Sequence, residues 1–299
     1  MTPKELTQAD VLHFLELQTG SFTTNQIKEY LNIQTPKAKN TLYHILSRLE
    51  EKEIQQLSPG LYRKRNSQKI LVEWEKANPN QFLDLVLPFD LQKFCKLYPK
   101  SIVVVAGSKS AGKTTFLLDT AVKNWYRMPV EVFNSETGPE QLNAKFTALA
   151  CPTPCPFPVY QCYQDFSDQI DPDKLSIIDY LDYNSEVYHV GLEIDNIFRK
   201  LNKGCAIIGI QKPLPSISIY KGQKQVLDRD LGYGGTFSIK RAALYISMSS
   251  HKLKIVDCKT PAQPTINPNG KQWTYKFSDK GLFKDITEYY EVTNEDNNV

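Results

Sequence analysis

Residues 101–116, SIVVVAGSKSAGKTTF, decide the fold of the larger part of this chain. A β-branched run ends at Gly107, the pattern GxxxxGK followed by Ser or Thr comes next, and FLLDTAVKNW continues with helical spacing. A strand, such a loop and a helix in this order predict a phosphate-binding loop, in which backbone N–H groups and the helix N-terminus bind phosphates. The predicted nucleotide-binding residues are Gly107, Ser108, Lys109, Ser110, Ala111, Gly112, Lys113, Thr114 and Thr115.

The chemistry expected at this loop is that of ATP with Mg²⁺ as cofactor. Lys113 is predicted to reach the β- and γ-phosphates, and the Thr114 hydroxyl to bind Mg²⁺. A magnesium site also needs a carboxylate at the end of a second buried strand, and the run LSIID ends in Asp179. We therefore predict a metal site formed by Thr114 and Asp179. The alternative is an ordinary aspartate at the end of a strand.

Two further strand ends carry groups suited to hydrolysis. The strand in residues 130–136 ends in Glu136, and we expect it to lie beside the first strand, with Glu136 as the base or positioner of the attacking water. The apolar run 205–210 is followed by Gln211, whose amide is suited to sensing the γ-phosphate. Because the strand ends of an open parallel sheet meet at one edge, these groups are predicted to form one site of an α/β domain.

The first 65 residues predict a separate small domain of three short helices and a hairpin. This order is typical of a winged helix-turn-helix, which offers a recognition helix to the major groove of DNA and a basic wing to phosphates. From Thr35 to Arg48 the chain has basic residues and no acidic one. The alternative is a winged helix used only for protein contacts. The predicted contacts to duplex DNA are Lys37, Lys39, Asn40, Tyr43, His44, Arg63, Lys64 and Arg65.

Composition bounds the class of protein. The chain has 299 residues, 41% hydrophobic and 23% charged, and its net charge of +3 is too small to indicate nucleic-acid binding by itself. No apolar run approaches the roughly 18 residues that span a bilayer, and the N-terminus lacks the apolar segment of a signal peptide. We expect a cytoplasmic protein without a membrane partner. Cys151, Cys155 and Cys162 are expected to be structural thiols, with a metal site as the alternative.

The motifs together resemble the RecA-type ATPase core and, within it, the DnaB-like replicative helicases. FNSETGPEQL resembles the segment that holds the catalytic glutamate of that branch, LSIIDYLDY its Walker B strand, and GIQKP its strand ending in a sensor glutamine. LYISMSSHKLKIVDCKTP resembles its paired strands, which end in a Lys-x-Arg element that reaches a neighbouring subunit's nucleotide. Lys259 keeps the lysine, but Pro261 replaces the arginine; Arg229 and Arg241 are candidate substitutes.

This resemblance covers roughly residues 88–277 and implies a RecA-like P-loop core with a mostly parallel sheet. It also implies a homo-oligomeric ring or filament and a prokaryotic, viral or plasmid context. RecA-type proteins bind DNA through loops after the Walker B and sensor strands, which correspond here to residues 182–186 and 212–233. The residues expected to contact single-stranded DNA are Lys212, Tyr220, Lys221 and Lys224.

We divide the chain into a winged-helix domain (1–75), a linker (76–87), an ATPase domain (88–293) and a disordered tail (294–299). Two functions remain open. The first is a DNA-dependent ATP hydrolase, either helicase-like or a replication or mobile-element ATPase, with a replication or recombination protein as a further partner. Its predicted catalytic residues are Lys113, Glu136, Asp179, Gln211 and Lys259. The second is a non-enzymatic regulator whose P-loop domain uses ATP as an assembly switch. The lost arginine leaves room for the second, because an arginine finger contributes about 10³–10⁵ in rate.

Overall fold

Two units make up the chain, Met1–Ala77 and Asn78–Val299. A computed structural model describes residues 6–16, 20–50, 52–65, 71–180, 187–213, 216–220, 223–227 and 229–289, with the backbone alone for residues 187, 188, 216–220 and 223–227. The predicted tail (294–299), the predicted DNA loop at 182–186 and Lys221 lie outside the described residues. None of the described helices combines the length and apolar character needed to cross a bilayer.

The first unit places helices against a small antiparallel sheet. Its described elements are α1 (Gln8–Glu16), β1 (Ser21–Thr23), α2 (Thr24–Tyr30), α3 (Pro36–Glu50), β2 (Ile54–Ser58), β3 (Leu61–Lys64) and a 3₁₀ turn at Trp74–Lys76. The sheet order is β1-β3-β2. Thr23 begins α2 with a capping box, in which its hydroxyl accepts from the Gln26 N–H while the Gln26 side chain accepts from the Thr23 N–H. Strand β1 was not predicted, because a three-residue strand has no readable alternation of its own.

One apolar core holds the first unit together. Leu42, Ile45, Leu46 and Leu49 lie on the buried face of α3 and pack with the side chains of α1, α2 and the sheet. Because this stripe occupies one face only, the residues between its members face solvent along the whole helix.

The second unit is an α/β structure around a large, mostly parallel sheet. Its described elements are a 3₁₀ segment at Pro88–Lys93, β4 (Ser101–Gly107), α4 (Lys113–Asn124), β5 (Val130–Asn134), α5 (Pro139–Ala148), β6 (Val159–Gln161), α6 (Phe166–Gln169), β7 (Leu175–Asp179), α7 (Val187–Lys200), β8 (Cys205–Gln211), β9 (Ser216–Tyr220), β10 (Gln223–Leu227), α8 (Thr236–Ile239), β11 (Leu244–Ser249), β12 (Lys252–Cys258), β13 (Gln272–Phe277) and β14 (Phe283–Tyr289). Nine of these strands pair in the order β14-β13-β12-β11-β4-β8-β7-β5-β6. Neighbours from β11 to β6 are parallel, and β11 to β14 are antiparallel.

Helices cover both faces of the parallel part, because its central strands are apolar on both sides. All seven residues of β4 are buried. Val103 and Val105 belong to the core that contains Phe116 and Leu117 of α4, whereas Ile102 and Val104 belong to the core that contains Ile194 and Ile197 of α7. This burial on both faces is the reason why the strand reads as a continuous apolar run.

The strand order corrects one prediction. β5 does not lie beside β4; β8 and β7 stand between them. β5 is buried at all five residues, as β7 is, so burial alone does not decide which of these strands stands next to β4. The order of the strands in the sheet is a property of the whole fold and cannot be read from the local pattern of one strand.

Two segments differ in structure from what the sequence predicted. The end of the predicted linker 76–87 belongs to the second unit, because Leu85 and Leu87 are buried in its core. The segment 212–233 was predicted as a long loop, but it contains the antiparallel pair β9 and β10, with Gln223 opposite Tyr220. The alternating polar and apolar residues of SISIY are a strand signal that accounts for this difference.

Candidate nucleotide-binding site

The ends of the parallel strands bring the predicted residues to one edge of the sheet. Gly107 at the end of β4 lies opposite Gln211 at the end of β8, and Asp179 at the end of β7 lies opposite Asn134 of β5. Glu136 follows β5 by two residues. The predicted convergence of these strand ends is therefore found, although the order of the strands differs from the prediction.

The segment from Gly107 to Thr115, which we call the 107–115 loop, requires glycine at positions 107 and 112. A Cβ atom on Gly107 would lie 2.6 Å from Cγ of Lys113, so only glycine lets the lysine side chain fold back over the strand end. Gly112 has a φ of +88°, and a Cβ there would lie 2.8 Å from Cζ of Phe277. The left-handed conformation and the close aromatic neighbour both exclude a larger residue. The backbone of the loop therefore lies close to the side chains of Lys113 and Phe277.

Lys113 begins α4 and points its side chain into the site. It is buried, and its ammonium lies 5.1 Å from the centre of the Tyr180 ring. Burial lowers the pKa of Lys113, while the negative charges of Asp179 and Glu136 oppose that change. A lysine held in this way offers its charge to an anion that enters the site.

Asp179 is the most unusual group of the site. Its side chain is 1% exposed, and neither carboxylate oxygen has a hydrogen-bond partner among the described residues. Burial raises the pKa of Asp179 to about 6. The nearby Thr114 hydroxyl and the positive charge of Lys113 both oppose this rise, although the hydroxyl does not form a hydrogen bond with the carboxylate. A buried carboxylate without a partner is costly in free energy, and a cation beside it would lower that cost.

Thr114 and Asp179 fit Mg²⁺. The ion prefers oxygen ligands and keeps several waters or phosphate oxygens, so it needs only one or two ligands from the protein. The half-buried Thr114 hydroxyl lies near the unpartnered Asp179 carboxylate, which meets this requirement. Among the described residues, no three His, Cys, Asp or Glu side chains are arranged to hold a metal ion.

A cavity of about 600 Å³ opens above the 107–115 loop. Its size and its three lysines, Lys109, Lys113 and Lys145, suit a polyphosphate. Glu136 and Gln211 also line it, and Glu136 is exposed. The full lining consists of Ser108, Lys109, Ser110, Gly112, Lys113, Thr114, Thr115, Glu136, Thr137, Gln141, Lys145, Gln211, Phe277 and Gly281.

Sequence reasoning missed five of these lining residues. Gln141 and Lys145 lie on α5, four residues apart and just after Glu136, so helical spacing is a signal that could have found them. Phe277 and Gly281 come from the β13–β14 end of the sheet, where the Thr115 hydroxyl donates to the Gly281 carbonyl at 3.2 Å. Only the sheet order brings that end to the loop, and no local pattern indicates it. Thr137, the fifth, is buried beside Asn134, whose side chain bonds its backbone.

Lys259 and the candidate substitute arginines lie away from this cavity. Lys259 is exposed and its ammonium donates to the Lys240 carbonyl at 3.3 Å. Arg241 pairs with Asp195 at 2.5 Å and lies over the Phe198 ring. Arg229 is exposed. None of the three is among the lining residues, so within the described part of one chain none supplies the missing arginine.

The predicted DNA-binding side chains of the first unit are all exposed. Lys37, Lys39, Asn40, Tyr43 and His44 all face solvent on α3. Arg65 is exposed as well, and its guanidinium donates to the carbonyls of Glu50 and Ile54, at 3.0 and 2.8 Å. Arg65 therefore ties the end of α3 to the sheet, and its contact with phosphate stays a prediction. Lys64 remains exposed, and Arg63 bonds the Gln55 side chain.

Lys212 also differs from the prediction. It is 1% exposed, and its ammonium donates to the hydroxyls of Ser247 and Ser249, at 3.1 and 2.9 Å. It follows β8 directly, and its side chain reaches past β4 to the hydroxyls of β11 instead of standing on an exposed loop. Lys212 is therefore not a surface contact for single-stranded DNA. Tyr220 and Lys224 lie in β9 and β10, where side chains are not described.

The cysteine cluster separates into a pair and a single residue. Cys151 Sγ lies 3.8 Å from Cys155 Sγ, whereas the Cys162 thiol donates to the Gln164 carbonyl at 3.3 Å. All three are free thiols.

No protein-family model matches the chain, and no curated protein matches it.

Proposed function

We propose that the second unit binds and hydrolyses ATP with Mg²⁺, and that the protein couples this reaction to DNA. The observation that carries the proposal is Asp179, a buried carboxylate without a partner beside Lys113 and Thr114. It lies at the foot of a glycine-containing loop that opens into a cavity lined by lysines. A carboxylate, a hydroxyl and a lysine in this setting suit a magnesium-bound triphosphate.

Binding follows from the 107–115 loop. Its backbone N–H groups and the N-terminus of α4 stabilise negative charge, and Lys113 adds a full positive charge. Thr114 and Asp179 would hold Mg²⁺, which when bound neutralises charge on the β- and γ-phosphate oxygens. Occupation of the site would therefore relieve the cost of burying the Asp179 carboxylate.

Hydrolysis needs a group that orients water on the far side of the γ-phosphate. Glu136 is the candidate, because it lines the cavity and its carboxylate is exposed to solvent. In the proposed reaction Glu136 accepts a proton from water, the water oxygen bonds to the γ-phosphorus, and the bond to the β–γ bridging oxygen breaks to give ADP and phosphate. Gln211 lines the same cavity and is the candidate to bond the γ-phosphate before the bond to the bridging oxygen breaks.

The coarse fold supports a RecA-like interpretation of the second unit, because a mostly parallel sheet carries these groups at its strand ends. The resemblance to DnaB-like helicases then implies a ring or filament in which a neighbouring chain completes the site. Lys259, Arg229 and Arg241 are candidates for that contact, since none of them lines the cavity of its own chain.

The first unit is proposed to be a winged helix that binds duplex DNA. Helix α3 exposes Lys37, Lys39 and Arg48, and Lys64 of β3 adds an exposed basic group on the hairpin. Lys37 also interacts with another group of the protein. A helix of this charge suits the major groove, and a basic hairpin suits the phosphates beside it.

The second candidate function is an ATP-dependent assembly switch without turnover. It is favoured by the absence, among the described residues, of an arginine that lines the cavity. Binding of ATP would then order the site and promote oligomer formation, and a slow or absent chemical step would preserve that state.

Steady-state ATP hydrolysis separates these functions. The purified chain is measured alone, with single-stranded DNA and with duplex DNA, together with Lys113→Ala and Glu136→Gln. The motor predicts turnover that DNA stimulates and that both substitutions abolish. The switch predicts ATP binding without turnover under all three conditions. Turnover that is unchanged in Lys113→Ala would show that the site is not the one proposed.

A further inference from the structure

We infer that Lys145 contacts the terminal phosphate of the bound nucleotide from its own chain, and so supplies in cis part of the charge that an arginine finger supplies in trans. This inference rests on the proposed function. Lys145 belongs to none of the sequence motifs and is not one of the predicted site residues.

The register of α5 sets the direction of the Lys145 side chain. Leu142, Phe146 and Leu149 pack against the core beneath the helix. Gln141 and Lys145 both line the cavity, and a spacing of four places them on one face. The helix begins at Pro139, three residues after Glu136. The short segment from Glu136 to Lys145 therefore brings both the candidate base and a lysine to one cavity.

The charge of Lys145 has no described partner of its own. Among the described residues its ammonium forms no ion pair or hydrogen bond, in contrast to Lys123, which pairs with Asp119 at 2.7 Å. Its side chain is half-buried and lines the same cavity as Lys113 and Glu136. A lysine in that lining can reach the region that the γ-phosphate would occupy between Lys113 and Glu136.

The other cations are less suited to this role. Lys113 is the first residue of α4, and its predicted contacts are with the β- and γ-phosphates. Lys109 is exposed on the loop itself. Lys145 reaches the cavity from α5, on the same side as Glu136, where negative charge would grow on the γ-phosphate as water attacks.

The test compares Lys145→Ala with Lys145→Arg, and uses Lys123→Ala as the matched removal of a lysine outside the cavity. We expect Lys145→Ala to lower kcat by about 100-fold, as the loss of one preorganised charge at a transition state does. Lys145→Arg should retain most of the rate, and Lys123→Ala all of it. Affinity for ADP should be unchanged in Lys145→Ala, while affinity for a non-hydrolysable ATP analogue falls. Equal loss of both affinities would indicate a structural role and overturn the inference.

A mixing experiment separates cis from trans action. Lys113→Ala chains retain Lys145 but lack the lysine of the 107–115 loop. Lys145→Ala chains retain Lys113 but lack Lys145. If Lys145 acts in cis, the mixture stays as slow as its parts; recovery of turnover on mixing would overturn the inference. If Lys113→Ala has normal turnover, the proposed function itself fails. If Lys113→Ala is inactive while Lys145→Ala has normal turnover, only the role of Lys145 fails.

Discussion

Asp179→Asn should stabilise the nucleotide-free protein. The substitution keeps the shape of the side chain but removes a negative charge that is buried without a hydrogen-bond partner among the described residues. Burial raises the pKa of Asp179 from 3.8 to about 6. At 1.36 kcal/mol per pKa unit, ionised Asp179 lowers the free energy of unfolding by roughly 3 kcal/mol. For a unit of this size that corresponds to roughly 6–12 °C in Tm.

The sign of the effect depends on pH. A carboxyl group whose pKa is raised in the folded state makes the folded protein bind more protons than the unfolded chain between pH 3.8 and about 6. The cost is therefore absent below 3.8, grows as the pH rises through this window, and is complete above about 6. Asp179→Asn should therefore exceed the wild type in unfolding free energy by the full amount at pH 8 and by little near pH 4.

Denaturant unfolding of the wild type, Asp179→Asn and Glu136→Gln at several pH values measures this difference. Glu136 lies in the same cavity but is exposed, so Glu136→Gln should leave the unfolding free energy unchanged. Mg²⁺ and ATP together should stabilise the wild type more than Asp179→Asn, because only the wild type gains a counter-charge for its carboxylate. An Asp179→Asn protein that is less stable than the wild type at pH 8 would refute the assignment of Asp179 as an unsatisfied buried charge.

Three further predictions concern the loop and the first unit. Gly107→Ala should weaken ATP binding at least about tenfold, since its Cβ would displace the Lys113 side chain; calorimetric titration checks this, with Gly138→Ala, where a Cβ has ordinary space, as the control. Lys39→Ala should weaken duplex binding and reduce its salt slope by about one, measured by fluorescence anisotropy across salt concentrations; an unchanged slope would remove Lys39 from the DNA surface. Arg65→Ala should destabilise the first unit by about 1 kcal/mol in thermal unfolding, through its lost bonds to carbonyl oxygens, and an unchanged unfolding temperature would contradict its structural role.

The sequence allowed the local parts of the site to be predicted well. Apolar runs ending in Gly107, Asp179 and Gln211 are buried strands, and their ends meet at one edge because parallel strands must point the same way. These features depend on residues close together in the chain. The roles of Lys113 and Asp179 are still predictions, but their placement beside one another follows from that geometry.

The rest depended on order and packing that local pattern does not contain. β8 and β7 separate β4 from β5, and burial does not reveal this order, because β5 is buried at every residue just as β4 and β7 are. Lys212 was expected to be exposed because lysines usually are, but hydroxyl acceptors of a distant strand hold it in a buried position. Arg65 is exposed, and its bonds to two carbonyls depend on how the end of α3 meets the sheet. The contact of Phe277 and Gly281 with the loop arises because the antiparallel end of the sheet returns toward α4.

Direct titration of ATP into the wild type, Lys113→Ala and Asp179→Asn, with and without Mg²⁺, tests the central claim. The proposed site predicts tight binding by the wild type that requires Mg²⁺, a loss of binding in Lys113→Ala, and weak, Mg²⁺-independent binding in Asp179→Asn. Equal binding by all three proteins, or binding by the wild type that is indifferent to Mg²⁺, would contradict the claim that the 107–115 loop and Asp179 form a site for magnesium-bound ATP.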